Sequence, residues 1–98
     1  MEKLYNDNNE VAVAISVGFG AGWSTWDERI NPMDKRFNEL ILNKKKSEVM
    51  DLAKSEGLFA DGLEDCIIEW IPKGMKFTIE EYDGYESIRT EENLQFIA

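Results

Sequence analysis

Three observations predict an α+β domain with a mostly antiparallel sheet and helices on one face. An uncharged β-branched strand is followed by two amphipathic helices, and the C-terminal third reads as strands folded around an Asp-Gly turn. In the first strand Val11, Val13, Ile15 and Val17 alternate with Ala12, Ala14 and Ser16. Neither face carries charge, so burial on both sides is expected. Residues 1–10 are set apart as a flexible segment, because Asn6-Asp7-Asn8-Asn9 offers nothing to bury. Residues 11–98 then form a single domain, since a chain of 98 residues supports one core.

The first helix is expected to start at Asn31 as N-cap and Pro32 as first helical residue. Met33, Phe37, Leu40 and Ile41 follow at helical spacing, and Lys44-Lys45-Lys46 suits the negative end of the macrodipole. Ser47 reads as the cap of a second helix with Val49, Leu52 and Ala53 inward and Gly57 as its stop. Cys66 to Ile71 is the second strand, halted by Pro72-Lys73-Gly74, and Met75 to Tyr82 is the third. Asp83-Gly84 predicts a type I′ hairpin turn into a fourth strand ending near Arg89. The apolar tail Leu94-Gln95-Phe96-Ile97-Ala98 is expected to dock on the body. The order is β-α-α-β-β-β.

Composition narrows the chemistry. The net charge is −9, from 20 acidic and 11 basic residues, which opposes direct nucleic-acid binding. The acidity is uneven: residues 61–98 carry ten acids against Lys73, Lys76 and Arg89. No histidine is present, which removes the commonest general base and metal ligand. With one cysteine, Cys66, neither an internal disulfide nor an ordinary zinc site is available. No cofactor or metal is expected, and no membrane span or basic-then-apolar leader is read, so the cytoplasm is the expected compartment.

Two places carry candidate sites. The first is Gly18-Phe19-Gly20-Ala21-Gly22-Trp23-Ser24-Thr25-Trp26. Successive amides in a glycine-rich turn can form an anion nest, and Ser24 and Thr25 add hydroxyls. Trp23 and Trp26 offer stacking faces worth about 1–3 kcal/mol per nucleobase. Gly18, Gly20, Gly22, Trp23, Ser24, Thr25 and Trp26 are therefore the ligand-binding candidates, although the same glycines also suit a sharp exit from the strand over a Trp-lined core. The second place is the hairpin. Its turn pairs Tyr82 with Tyr85, Glu81 with Glu86 and Ile79 with Ile88, leaving like charges opposite one another on the face of Phe77. Glu81, Tyr82, Asp83, Tyr85 and Glu86 are the interaction candidates. A Glu81–Glu86 dyad would also be a basis for a carboxylate enzyme.

These blocks resemble a family of small proteins encoded by bacteriophages and prophages. The resemblance rests on Gly18–Trp26, on Ile68-Glu69-Trp70-Ile71-Pro72-Lys73-Gly74, and on Phe77–Gly84 with Phe77, Ile79, Glu81, Tyr82, Asp83 and Gly84 in matching places. It implies a phage origin and residence in the host cytoplasm, and it brings no catalytic assignment. The expected function is non-catalytic capture of a nucleotide-like small molecule in a counter-defence role. The alternative is an acidic inhibitor that presents the hairpin to a host or defence protein. A homodimer is compatible with either.

Overall fold

In the computed structural model, which describes residues 1–90 and 96–98, the alternation of β1 (Glu10–Ser16) decides how the layers stack. Val11, Val13 and Ile15 point to one side and pack with Phe77 and Ile79 of β3 (Lys76–Tyr82), Met33 and Ile71. On the other side Ala14 is small enough to admit Phe37 of α1 (Lys35–Leu42) and Val49 and Ala53 of α2 (Lys46–Ser55). β1 is buried on both faces, as its uncharged pattern predicts. Each fully buried aliphatic or aromatic side chain contributes about 1.5–3 kcal/mol, so this strand anchors both halves of the core.

The predicted α+β architecture is present, but among the described residues its antiparallel strands divide into two sheets. β1 pairs with β2 (Cys66–Pro72), placing Val11 opposite Ile71 and Ser16 opposite Cys66. β3 lies between β4 (Tyr85–Arg89) and β5 (Phe96–Ile97) in the second sheet. The hairpin register is the one read from its turn, with Tyr82 opposite Tyr85, Glu81 opposite Glu86 and Ile79 opposite Ile88. Of the tail, Phe96 pairs with Phe77 and Ala98 is buried, while Leu94 and Gln95 lie outside the described residues.

The helix starts differ from expectation. Asn31 caps only a turn, accepting from the Met33 amide, and α1 begins at Lys35 with Asp34 as N-cap accepting from the Arg36 amide. The reason is local: residues around Pro32 run beside β1, where Pro32 accepts from the Ala14 amide, so Met33 joins the sheet side of the core. α2 begins at Lys46, one residue before Ser47, with no side-chain cap. Gly57 ends it in the left-handed region, with Leu58 donating to Ala53 and Gly57 to Lys54.

The segment set apart as flexible is hydrogen-bonded to the body. Tyr5 bridges to Val11 and Lys3 to Asp34, and Ala12 and Lys35 donate to the carbonyls of Leu4 and Glu2. Among the described residues, no helix is long and apolar enough to cross a membrane.

Candidate functional site

The glycine loop and the hairpin, read separately in the sequence, form one structure joined by Glu86. Glu86 extends from β4 toward the end of β1 and is completely buried. One carboxylate oxygen accepts from the Ser16 amide at 2.8 Å. The other accepts from the amides of Trp23 (2.9 Å) and Thr25 (3.0 Å) and from the Thr25 hydroxyl. The loop does present amides to an anion, but they belong to Trp23 and Thr25 rather than to its glycines, and the anion is the protein's own carboxylate. Four donors converge on this carboxylate, which meets the requirement that a buried charge be hydrogen-bonded.

The turn closes against the loop from the other side. The Gly20 amide donates to the Asp83 carbonyl at 2.6 Å, and the Ser16 hydroxyl donates to the Ala21 carbonyl at 2.9 Å. At Gly84, whose φ is 91°, a Cβ would stand 2.4 Å from the Ala21 nitrogen. The turn thus needs glycine both for its backbone conformation and for the approach of the loop. On the loop's opposite flank Gly62 is equally confined, with a Cβ position 2.0 Å from the Gly22 carbonyl oxygen.

The sequence candidates separate into inner and outer groups. Trp23 is 1% exposed and meets Phe37 edge-on with ring centroids 5.4 Å apart, so it is core and offers no stacking face. The amides of Trp23 and Thr25 are given to Glu86, which corrects the expectation that they stand free for an external phosphate. Gly18 lies against the Asp65 side chain, and Gly22 lies under Trp26 and Thr25. The Ser24 hydroxyl is buried with no hydrogen-bond partner among the described residues. Trp26, by contrast, is 43% exposed and stacks on Phe59 at 5.7 Å.

The cross-strand pair Glu81–Glu86 does not form a dyad, because each carboxylate has its own donors. Glu81 accepts from the Trp26 indole N–H at 2.8 Å and from the Gly84 amide at 2.7 Å. The Trp26 hydrogen bond, followed by that of Gly84, holds the Glu81 carboxyl below its ordinary value. A carboxylate whose folded pKa is depressed contributes stability above its unfolded value, and that contribution is lost as pH falls through the folded value. Trp26 fluorescence should therefore be constant at neutral pH and change as the solution is acidified below 4.5, before global unfolding. In Glu81→Gln this early step should be absent. An identical acid profile in the variant would contradict the pairing. Burial, followed by the charges of Glu86 and Asp65, raises the Cys66 thiol far above its ordinary value, which leaves it a poor nucleophile.

What remains outward is an aromatic face with acidic edges. Phe19 is 69% exposed and packs against Tyr85 with centroids 5.3 Å apart, while Tyr82 is 78% exposed. Glu80, Glu81 and Asp83 lie along the same hairpin. The sequence candidates did not include Phe19 on this surface, Phe59 as the ring under Trp26 or Glu86 as the anchor of the loop. A usable signal existed for Glu86: a carboxylate on the strand face of Phe77 and Ile79 must find donors, and the glycine loop is a local surplus of amides. No family model matches the chain, and neither a curated protein nor a solved structure matches it.

Proposed function

We propose that the chain is a non-catalytic interaction protein that binds a basic protein surface through the joined loop and hairpin. The observation that carries this reading is the cluster of exposed aromatic rings, Phe19, Tyr82 and Tyr85, on a hairpin edged with acids. Exposed aromatic surface of this kind is what partner-binding surfaces use, and negative edges steer a positive partner. In the phage setting that the sequence blocks imply, the partner is a host or defence protein whose basic site is covered. Capture of a nucleotide on the loop amides is the weaker reading, because its phosphates would compete with Glu86 for the same donors.

The test is an amide chemical-shift titration with a mixed Lys/Arg peptide at low and high salt. Shifts should concentrate at Phe19, Tyr82, Asp83 and Tyr85, and affinity should fall by about tenfold or more as salt rises. Tyr82→Ala combined with Asp83→Asn should abolish them. Shifts spread evenly over all acidic surfaces would contradict the reading. Shifts of the Trp23 and Thr25 amides with a nucleotide panel would favour small-molecule capture instead.

A further inference from the structure

We infer that the hairpin tip is a seat for one arginine side chain of a basic protein partner, with Asp83 as its carboxylate and Phe19 and Tyr85 as its stacking surface. The inference rests on the interaction reading above and names the group recognised. Of the hairpin's four acids, three have internal partners. Glu80 pairs with Arg89, Glu81 accepts from Trp26 and Gly84, and Glu86 is buried among loop donors. The Asp83 side chain has no hydrogen bond or ion pair among the described residues, although its backbone is fixed at a φ of 51° and its carbonyl is tied to Gly20. That same tie carries Phe19, the neighbour of Gly20, to the side of Tyr85.

The aromatic rings point the same way. Elsewhere in this fold rings are already covered by cations, Arg36 over Phe37 at 5.3 Å and Lys73 over Tyr5 at 5.6 Å. Phe19, Tyr82 and Tyr85 have no cation over them among the described residues, and Arg89 is held by Glu80. The tip therefore combines an uncommitted carboxylate with two rings that pack on each other and stay partly exposed, Phe19 at 69% and Tyr85 at 39%, on a backbone already ordered. A guanidinium satisfies both demands, because it is planar, weakly hydrated, stacks on rings and bonds a carboxylate with two parallel N–H groups. An ammonium is a compact, more strongly hydrated charge that does not stack on a ring and cannot bond a carboxylate with two parallel N–H groups.

Two peptides of equal charge, one carrying arginines and one carrying lysines in the same spacer, are titrated by calorimetry into the wild type, Asp83→Asn and the double variant Phe19→Leu with Tyr85→Leu. The arginine peptide should bind about tenfold more tightly than the lysine peptide, as two partly exposed ring contacts allow. The double variant should lose that preference with an unchanged melting temperature. Asp83→Asn, which keeps a residue tolerant of positive φ, should weaken the arginine peptide most. Equal binding of both peptides would overturn the arginine seat and leave the interaction reading intact. An arginine preference surviving in the double variant would also overturn it. Failure of both peptides to bind would remove the interaction reading itself.

Discussion

Replacing Glu86 with leucine is expected to destabilise the protein by about 4 kcal/mol or more, measured by urea unfolding. The substitution is close in volume and suits an apolar strand face, so a simple hydrophobic account would predict a gain. The donors decide otherwise. The amides of Ser16 and Trp23 are buried, and that of Thr25 partly so, each with the carboxylate as its acceptor. An orphaned buried donor costs about 1–3 kcal/mol, and three such donors exceed what one apolar side chain returns. Against a typical total of about 5–15 kcal/mol, this is a large share of the fold's stability. Glu86→Gln should fall between the two, because its amide oxygen can keep one cluster of donors while its NH₂ faces another donor. Leucine at or above wild-type stability would show that the loop does not depend on this carboxylate.

The second large effect separates the tryptophans. Trp23→Ala should cost about 3–5 kcal/mol, the range for emptying a buried aromatic site, because Trp23 fills the core beside Ala14 of β1 and Phe37 of α1. Trp26→Ala should cost about 1–2 kcal/mol, since a half-exposed ring loses one stack on Phe59 and one hydrogen bond to Glu81. Thermal and urea unfolding of the two variants side by side provides the comparison. Equal losses would contradict the division into an inner and an outer tryptophan.

Legibility followed the range of the interaction. The alternation of β1, the Asp83-Gly84 turn and the register of the hairpin are short-range consequences of side-chain size and positive φ, and the sequence displays them directly. α1 starts later than the sequence predicts because Asn31-Pro32 is a sound cap locally, while the pairing of Pro32 with Ala14 is tertiary and has no local signature. The site was half legible for the same reason. Both the glycine loop and the Glu81–Glu86 conflict stood out as local anomalies. Their common resolution, a carboxylate 61 to 70 residues distant filling the loop's own nest, is a long-range contact that neither pattern announces. Likewise the two tryptophans are equivalent in sequence and become different only when Phe37 and Phe59 arrive from other elements.

Glu86 holds the glycine loop against the hairpin and so builds the outward aromatic face. Amide hydrogen exchange of Trp23 and Thr25 tests it most directly, because residues in a loop ordinarily exchange fast. Both amides should exchange nearly as slowly as those of β1 in the wild type and become fast in Glu86→Gln under conditions where β1 remains protected. Rapid exchange of Trp23 and Thr25 in the wild type would contradict the claim.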